Sequence, residues 1–574
     1  MKNLNLSFLG ICSFFMFLSS SFNIFSQSLS PTKQWEWKDK SIVINIPEKE
    51  NGQKSVLGLA LPKMEVVRVG FVGLGMRGKG SVNRFTKIPG TEIVALCDYE
   101  KERAEYCQKY LRRECMPEAD IFYGAEGYKA LCERDDIDLV YIATDWKHHF
   151  VVAEYAMLHG KNVAIEVPAA MNLEQCWRLI DLSEKMRKHC IMLENCCYDW
   201  FEMNTLNMAQ QGVFGEIIRV QGAYIHDLDV FWDEYWKNGN DDKLGWRLRY
   251  NKENRGDIYA THGLGPVAQV LNIHRGDRMT SLIAMDTESF HGKELVENTT
   301  GKKCNDFRNG DHTTTLIRTA KGKVIEIQHN VMTPQPYNRL YQLTGTKGFA
   351  NKYPVEGYFI NPEKKSENGL DPTVDDIYEH EFLSKDEMKE MESKYKHPVL
   401  EKYGEMAKEV GGHGGMDFIM DSRMVYCLQN GLPLDMDVYD LAEWCALAEL
   451  GAISMDNGYI SVPFPDFTRG HWNEIKGYKH AFAAPDDEAK VELDALTATL
   501  NLKINGMKEW MNKLRKEKRN PTIKELTERN KKLSEQLQLV IEKSSGRLGK
   551  KQERSISMAQ KILNKSTRLV VETK

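Results

Sequence analysis

A glycine-rich turn constrains the fold of this chain more than any other feature. The β-rich run from Val67 to Val72 leads directly into Gly73, Gly75 and Gly78, spaced Gly-x-Gly-x-x-Gly, before a segment compatible with a helix. In dinucleotide-binding proteins the first glycine permits a tight turn, the second lets the backbone approach a pyrophosphate, and the third lets helix and strand pack closely. Unpaired amides at the helix N-terminus then favour phosphate. The turn therefore predicts a nicotinamide-dinucleotide site.

The next strand carries an acidic residue where an NAD site needs one. A glycine turn alone also occurs in ordinary strand-turn-helix units. Here a second β-rich run, Thr91 to Cys97, ends in Asp98, about 20 residues after the turn. A carboxylate at this position accepts hydrogen bonds from both ribose hydroxyls of NAD and repels the extra phosphate of NADP. The predicted cofactor is therefore NAD.

The rest of the chain has three regions that differ in sequence pattern. Up to Leu193, five β-rich runs alternate with amphipathic helical stretches, which predicts an α/β domain with a doubly wound parallel sheet, a Rossmann domain. These runs are Val67 to Val72, Ile93 to Cys97, Leu139 to Ala143, Asn162 to Glu166 and Cys190 to Leu193. Beyond Asn195, several long extended segments follow one another, which predicts an α+β domain with a large open, mainly antiparallel sheet. These segments are Glu216 to Asp229, Met279 to Met285, Thr313 to Ala320, Val324 to Val331 and Arg339 to Thr344. From about Ala484 a lysine- and glutamate-rich tail with helical periodicity predicts a helical C-terminal extension, with a coiled-coil or partner-binding role left open.

These patterns divide the 574 residues into five predicted segments. They are a signal peptide (1–26), an N-terminal arm (27–64), a Rossmann NAD-binding domain (65–194), an α+β substrate domain (195–480) and a charged helical extension (481–574).

The N-terminus is typical of an exported protein. Lys2 precedes an apolar run from Leu6 to Leu18, followed by serines, and cleavage is expected near Ser26. A short buried helix is the alternative, which fits poorly with this position. We therefore expect export, to the periplasm. No later stretch approaches 18 apolar residues, so no membrane span is predicted.

Composition narrows the partners and cofactors. The net charge of -5 is mostly interspersed, so no basic surface indicates nucleic acid. Eleven of the twelve cysteines follow the apolar run and lack paired spacing, which indicates buried thiols rather than a disulfide framework. The absence of Cys-x-x-Cys pairs or histidine ligand sets gives no reason to predict a metal.

Two short motifs carry side chains suited to a site. Trp146 to His149 follow the third strand, at the sheet edge where ligands bind, so Trp146 is expected to cover one end of the cofactor and His149 to cap the helix or contact NAD. A packing tryptophan and a capping histidine are the alternatives. Tyr259 and His262 share one face of a helical turn, and histidine suits proton transfer near neutral pH. His413, set among glycines, is equally compatible with a ligand contact and a structural role.

A resemblance becomes specific at Glu166-Val167-Pro168. The chain from Glu65 to about Trp472 resembles the glucose-fructose oxidoreductase and inositol dehydrogenase family, whose members usually carry Glu-Lys-Pro here, with the lysine touching substrate and cofactor. Val167 replaces that lysine. Within this superfamily the chain is similar to glycoside hydrolase family 109. The motifs that carry the similarity are Glu194 to Tyr198, Trp246 to Arg249, Gly256 to Pro266, Gln335 to Arg339, Gly411 to Asp417 and Phe464 to Trp472.

The resemblance implies roles for individual residues. The NAD contacts implied are Gly73, Gly75, Met76, Arg77, Gly78, Asp98, Trp146, Lys147, His148, His149, Glu166, Val167, Asn195 and Tyr259. The substrate contacts implied are Tyr224, Arg247, Tyr259, Ala260, Thr261, His262 and Tyr337. Among these, His262, Tyr259 and Tyr337 are the candidate catalytic residues. Ala260 departs from the proline often found there, which changes loop stiffness more than chemistry.

The resemblance also implies a mechanism. No pair of flanking carboxylates is evident in the sequence, and NAD-dependent glycosidases are exceptions to the two-carboxylate scheme. By family analogy, C3 of the terminal sugar loses hydride to NAD, and a base, His262 or a neighbouring tyrosine, removes the C2 proton. The aglycone then leaves C1, water adds, and the hydride returns.

The predicted function is hydrolysis of terminal N-acetylgalactosamine-type glycosides by this route. A sugar dehydrogenase that releases reduced cofactor and a non-catalytic, cofactor-bearing binding protein are the two alternatives. The predicted partner is the glycoside. A homo-oligomer formed through the substrate-domain sheet or the C-terminal helices is a further expectation.

Overall fold

The computed structural model describes residues 34–228, 244–360, 381–544 and 548–573. The predicted signal peptide lies outside these residues. Within the predicted arm, β1 (Trp35–Lys38) and β2 (Ser41–Ile44) form an antiparallel hairpin. Ile42 and Ile44 belong to the main hydrophobic core, so this part of the arm packs on the folded chain rather than serving as a free linker.

The first large unit is a parallel sheet of the predicted Rossmann type. Its strands lie in the order β5-β4-β3-β6-β7-β8, so the chain moves outward from β3 in both directions. Loops diverge where the order reverses, between β3 and β6, and ligands of such sheets bind at the carboxyl ends of the strands there. The elements are β3 (Val67–Val72), α1 (Met76–Phe85), β4 (Thr91–Asp98), α2 (Lys101–Arg113), β5 (Asp120–Tyr123), α3 (Gly127–Cys132), β6 (Leu139–Ile142), α4 (Trp146–Leu158), β7 (Asn162–Ile165), α5 (Leu173–Met186) and β8 (Cys190–Met192).

The second sheet has the order β15-β14-β13-β9-β12-β11-β10-β16 in the described part of the chain. All its pairings are antiparallel except β9 with β12, as expected for a mainly antiparallel sheet. The elements are α6 (Trp200–Gln210), β9 (Ile217–Ile225), α7 (Trp246–Glu253), α8 (Thr261–Val270), β10 (Met279–Asp286), α9 (His291–Thr300), β11 (Thr313–Thr319), β12 (Val324–Asn330), β13 (Tyr341–Gly345), β14 (Gly348–Asn351), β15 (Gly357–Ile360), α10 (Lys385–Lys394), α11 (Pro398–Val410), α12 (Met416–Asn430), α13 (Val438–Asp456) and β16 (Val462–Pro463). The predicted α/β plus α+β fold class is confirmed.

One face of this sheet is covered by helices. Along β11, Thr315 and Ile317 are buried whereas Leu316 is 49% exposed, the alternation of a sheet with one solvated face. On the buried side α8 approaches β9 so closely that a Cβ on Gly263 would lie 2.4 Å from the backbone nitrogen of Ala223. This contact places the N-terminus of α8, which carries the predicted catalytic residues, directly against the sheet.

Three helices follow the second sheet: α14 (Pro485–Lys516), α15 (Ile523–Ser544) and α16 (Lys550–Thr573). Their shared core includes Leu500, Leu533 and Val540, so the predicted helical extension folds onto itself. No helix of the described residues is long and apolar enough to cross a membrane.

Candidate functional site

The glycine turn has the shape that a dinucleotide requires. Gly73 has φ +89°, and a Cβ there would lie 2.5 Å from the backbone of Ala143. A Cβ on Gly78 would lie 1.8 Å from the carbonyl oxygen of Gly73. A Cβ on Gly75 would meet nothing within 4 Å, and no side chain caps α1. The turn is therefore tight where it packs and open where a pyrophosphate would lie, which fits NAD.

Asp98 braces this turn from the neighbouring strand. Its carboxylate is buried, with Oδ2 accepting from the Leu74 amide at 2.6 Å and Oδ1 from the Glu100 amide at 2.9 Å. Each carboxylate oxygen can accept more than one hydrogen bond. Asp98 can therefore hold the turn in place and still accept from a ribose hydroxyl.

Arg77, in the first turn of α1, joins several predicted residues into one charged network. Its guanidinium contacts Glu166 Oε1 at 3.0 Å, Asp417 Oδ2 at 3.2 Å and His413 Nδ1 at 3.0 Å. Asp417 also accepts from the Asn195 side chain at 2.6 Å. Burial raises the pKa of Asp417, but Arg77 and His413 outweigh it and hold that pKa well below its usual range. Arg77 thus contacts Glu166 directly and is joined to Asn195 through Asp417, although these residues are distant in sequence.

The first residues of α4 differ in burial and in their hydrogen-bond partners. Trp146 is buried, Lys147 and His148 are exposed, and His148 Nδ1 lies 2.7 Å from the capping carboxylate of Asp145. His149 is buried, with Nδ1 2.8 Å from the Pro168 carbonyl and Nε2 3.0 Å from the Thr144 carbonyl, and burial lowers its pKa. The ring of His149 therefore links two loops, and the predicted NAD contacts of Lys147, His148 and His149 stay predictions.

Val167 and Met76 differ in exposure to solvent. Val167, in the place of the family's lysine, is 4% exposed and belongs to the hydrophobic core. Met76, the first residue of α1, is 55% exposed. The side chain of Met76 is therefore accessible to a ligand at the helix N-terminus, whereas Val167 offers apolar surface only.

Aromatic rings from several parts of the chain lie together at the predicted sugar site. The ring of Tyr259 stacks on Trp146 with centroids 5.7 Å apart, and the guanidinium carbon of Arg247 lies 4.4 Å from the Tyr259 ring centroid. The ring of Tyr224 lies 5.1 Å from Tyr259 and 6.5 Å from Tyr337. Five predicted residues from five separate stretches of chain thus surround one place. Ala260 and Thr261 are buried behind them, at the start of α8.

His262 completes this group, and its imidazole is held by Glu194, a residue for which the sequence predicts no role. His262 Nδ1 lies 2.5 Å from Glu194 Oε1, and the imidazole ring is 4.9 Å from Tyr224. Burial opposes ionisation of Glu194, but the charge and hydrogen bond of His262 outweigh it and lower the pKa of Glu194. Glu194 follows β8 at the carboxyl edge of the parallel sheet, where ligand-binding residues collect. An acidic residue directly after a predicted strand of this sheet is therefore the signal in the sequence that could have identified Glu194.

His226 was also missed. Its Nδ1 lies 3.0 Å from the Tyr224 hydroxyl and its ring is 4.9 Å from Tyr337. Burial, followed by the nearby Arg247 guanidinium, lowers the pKa of His226. The extended segment predicted from Glu216 to Asp229 places His226 inside a strand, whereas β9 ends at Ile225 and His226 comes directly after it.

One cluster has donor atoms close enough for a metal. Atoms of Glu194, Cys196 and His262 lie within 4.8 Å of one another. Burial raises the pKa of the Cys196 thiol well above its usual range, and a protonated thiol is a poor metal ligand. We therefore interpret the proximity through the hydrogen bond between Glu194 and His262.

Comparisons with known proteins identify the family. The family described as "Glycosyl hydrolase 109, C-terminal domain" matches residues 198–474, and "Oxidoreductase family, NAD-binding Rossmann fold" matches residues 67–194. The chain is 69% identical over 494 residues to "Glycosyl hydrolase family 109 protein 5" of Phocaeicola vulgatus, covering 86% of this chain and 95% of that relative. This chain belongs to glycosyl hydrolase family 109.

A second relative and a solved structure extend the comparison. "Glycosyl hydrolase family 109 protein 1" of Bacteroides fragilis is 58% identical over 445 residues, covering 77% of this chain and 94% of that protein. A levoglucosan dehydrogenase solved with NADH and levoglucosan has a TM-score of 0.50 at 16% identity, covering 70% of this chain and 99% of that one, and shows the fold alone. The predicted family and the predicted cofactor, NAD, are confirmed. The chain is an NAD-dependent enzyme of the glycosidase and sugar-oxidoreductase group.

Proposed function

We propose that this family 109 member hydrolyses glycosides with a terminal N-acetylgalactosamine-type sugar, and that NAD stays bound from one turnover to the next. The observation that carries the proposal is the 2.5 Å contact between His262 Nδ1 and Glu194. A carboxylate on one ring nitrogen fixes the tautomer and leaves the other nitrogen to exchange a proton with a substrate. The α-linked sugar is the preferred candidate.

His262 is a better candidate base than the tyrosines around it. Burial raises the pKa of Tyr259 far above the usual tyrosine value, and the partial burial of Tyr337 shifts its pKa in the same direction. Phenols in that state donate hydrogen bonds and do not accept protons near neutral pH. We therefore assign removal of the C2 proton to Nε2 of His262, and hydrogen-bond donation to Tyr259 and Tyr337.

The remaining residues would position the sugar. Bound NAD supplies reversible hydride transfer with the sugar ring. Arg247 brings a fixed positive charge to the centre of the site, where it can orient hydroxyl or N-acetyl oxygens, and charged hydrogen bonds of this kind contribute about 1.5 to 3 kcal/mol each. The rings of Tyr224 and Tyr337 both lie against His226 and would bound the site around the sugar ring.

Val167 distinguishes this site from that of the resembling dehydrogenases. In those enzymes the lysine at this position assists hydride transfer at a hydroxyl. Here the position is apolar and buried. Oxidation at C3 therefore needs another group to take the hydroxyl proton in a dehydrogenase and in a glycosidase alike, and only the glycosidase route also uses the His262–Glu194 pair for proton exchange at C2.

The test is an assay of purified protein on α- and β-nitrophenyl glycosides without added NAD. We expect nitrophenol release from the α-N-acetylgalactosaminide, deuterium at C2 of the sugar when the assay is run in heavy water, and no accumulation of NADH. Nitrophenol release without C2 deuterium would exclude the elimination route. NADH accumulation with free sugar would favour a dehydrogenase. The absence of any turnover would favour a binding protein.

Export also belongs to this proposal. The support is the apolar run from Leu6 to Leu18 after a lysine, in residues that lie outside the described part of the chain. Cell fractionation checks it: the protein, with its NAD, should appear in the periplasmic fraction. Recovery with cytoplasmic marker enzymes would contradict export.

A further inference from the structure

A cavity of about 200 Å³ opens beside the sugar site. Its lining residues are Gln335, Pro336, Tyr337, Asn338, Tyr353 and Pro354. Only Tyr337 belongs to the predicted sugar contacts. We propose that this cavity, named here the outer cleft, is the subsite for the leaving group, and that it binds one neutral saccharide ring. The proposal rests on the proposed glycosidase function and adds the part of the substrate that lies beyond the cleaved bond.

The outer cleft lies next to the group of rings around His262. Ring centroids step from His262 to Tyr224 at 4.9 Å, from Tyr224 to Tyr337 at 6.5 Å, and from Tyr337 to Tyr353 at 6.3 Å. Tyr337 is 43% exposed and therefore stands at the mouth of the site. A ring linked to the sugar at His262 would reach Tyr353 by passing Tyr337.

The lining chemistry matches a neutral saccharide. Its two tyrosine rings and two prolines offer flat apolar surface, and Gln335 and Asn338 offer amides. Sites for small ligands combine such surfaces with a few polar groups. None of the six lining residues is charged. The nearby Lys352 ammonium lies 2.7 Å from both Asp199 and Glu202, so its charge is already balanced. A charged ring would lose hydration without gaining a partner.

The size of the outer cleft favours one ring over a chain. Pockets for drug-sized ligands span roughly 300 to 1,000 Å³, and this cavity falls below that range at about 200 Å³. A single saccharide unit is the largest leaving-group portion it would enclose. Further units of a longer glycan would lie in solvent.

Backbone contacts hold both walls of the outer cleft. Asn338 pairs with Ile225, the last residue of β9, through a 2.9 Å hydrogen bond to its carbonyl oxygen. On the other wall, the Lys352 amide donates to the Tyr341 carbonyl at 3.0 Å, and the Asn351 side chain donates to the Val355 carbonyl at 2.6 Å. Because β9 also carries Tyr224, the distance between the outer cleft and the sugar site is held constant, as two adjoining subsites require.

The test compares two compounds that share one terminal sugar. They are methyl α-N-acetylgalactosaminide and the disaccharide of N-acetylgalactosamine α-linked to galactose. We expect Tyr353→Ala to lower kcat/KM for the disaccharide about tenfold, the size of an aromatic contact, and to leave the methyl glycoside unchanged. Tyr353→Trp should retain the preference for the disaccharide. Tyr106→Ala, at an exposed tyrosine on α2 of the Rossmann unit, is the matched control and should affect neither compound.

Binding by calorimetry separates this inference from the proposed function. If the disaccharide binds about tenfold more tightly than the methyl glycoside, and Tyr353→Ala removes that difference, the subsite stands even without hydrolysis. If both compounds bind equally, or Tyr353→Ala weakens both alike, the subsite is wrong even where hydrolysis occurs. Equal or tighter binding of the disaccharide with glucuronic acid in place of galactose would overturn the preference for a neutral ring.

Discussion

At the scale of single residues, Glu194 determines how His262 can act. Glu194 is fully buried and accepts from His262 and from the Cys196 amide, so the imidazole is anchored on one side. Burial of a carboxylate is costly unless it is paired. The pairing therefore both stabilises Glu194 and fixes the direction of the histidine, which makes Glu194 a positioning residue.

Replacing Glu194 tests this role. We expect Glu194→Gln to lower kcat about 10- to 100-fold, less than the roughly 10²- to 10⁴-fold loss expected for His262→Ala, with KM and bound NAD unchanged. The loss should appear in kcat alone because Glu194 acts on the substrate only through His262. Glu184→Gln, at an equally buried carboxylate bonded to Tyr439, is the control. A raised KM at unchanged kcat, or loss of bound NAD, in Glu194→Gln would contradict the positioning role.

The sequence could predict part of this site and not the rest. Tyr259 and His262 lie three residues apart, so helical geometry alone places them together. Glu194 lies 68 residues from His262, and only the packing of α8 against the loop after β8 joins them. The same holds for Asp417, which reaches Arg77 across 340 residues. Long-range contacts between acidic and basic side chains leave no local pattern in a sequence.

Asp257 gives a pH-dependent stability that can be measured. Burial raises the pKa of Asp257 to about 7, although the side chains of Thr313 and Thr315 donate hydrogen bonds to it, the latter at 3.3 Å. Its carboxylate also lies 3.6 Å from His329, whose pKa burial lowers to about 3. Between pH 4 and 7 the folded state thus keeps a proton that the unfolded state has lost. The free energy of unfolding should therefore fall as pH rises through this window.

Asp257→Asn should remove this contribution. At about 1.4 kcal/mol per pKa unit, the free energy of unfolding of the wild type should fall relative to that of the variant by at most about 4 kcal/mol from pH 4 to pH 8. Urea unfolding at a series of pH values measures it, with Asp386→Asn, at a side chain that is 95% exposed, as control. A constant difference across this range would contradict the raised pKa.

At the scale of elements, the glycine turn separates folding from cofactor binding. Gly78 faces the Gly73 carbonyl with no room for a methyl group, whereas Gly75 faces open space. Gly78→Ala should therefore destabilise the fold, by about 1 to 3 kcal/mol as overpacking does. Gly75→Val should leave the melting temperature of the NAD-free protein unchanged and abolish NAD binding, since its side chain would occupy the place of the phosphates.

Two measurements check this pair of variants. Chromatography of the heat-denatured protein gives the NAD content, and thermal unfolding after removal of NAD gives the intrinsic stability. Loss of stability in NAD-free Gly75→Val, or full NAD content in that variant, would show that the space beside Gly75 is not the phosphate site.

The elements themselves were mostly predictable. Alternating β-rich and helical stretches predicted five strands of the parallel sheet, because strands buried on both faces read as continuous apolar runs. The four-residue strand β5 was missed because its residues are exposed or half-buried, so it lacks such a run. The short strands β14 and β15 were missed as well, since four residues carry too little periodicity to be recognised.

At the scale of the whole molecule, the C-terminal helices pack on the edge of the Rossmann sheet that faces away from NAD. The Thr499 hydroxyl accepts from the Gly90 amide just before β4, and Lys532 contacts Glu114 just after α2. In a parallel α/β sheet these positions lie at the amino ends of the strands, opposite the ligand-binding edge. The tail thus has a docking place within its own chain, and a further role with partners stays a prediction.

Gly506 is the point where this packing is tightest. A Cβ there would lie 2.3 Å from the carbonyl oxygen of Cys115. Gly506→Leu should therefore push α14 away from the end of α2 and lower the free energy of unfolding by about 1 to 3 kcal/mol. Turnover should stay at the wild-type value below the unfolding temperature, because the altered contact lies at the far edge of the sheet.

The neighbouring Asn505 supplies the control, since it is exposed on the same helix and Asn505→Leu adds a leucine without touching the Rossmann sheet. Thermal unfolding and kcat are measured for both variants. If Gly506→Leu lowered kcat in the fully folded protein while Asn505→Leu did not, the C-terminal helices would control the active site from across the sheet. If both variants kept wild-type stability, the close contact at Gly506 would contribute nothing to holding the extension in place.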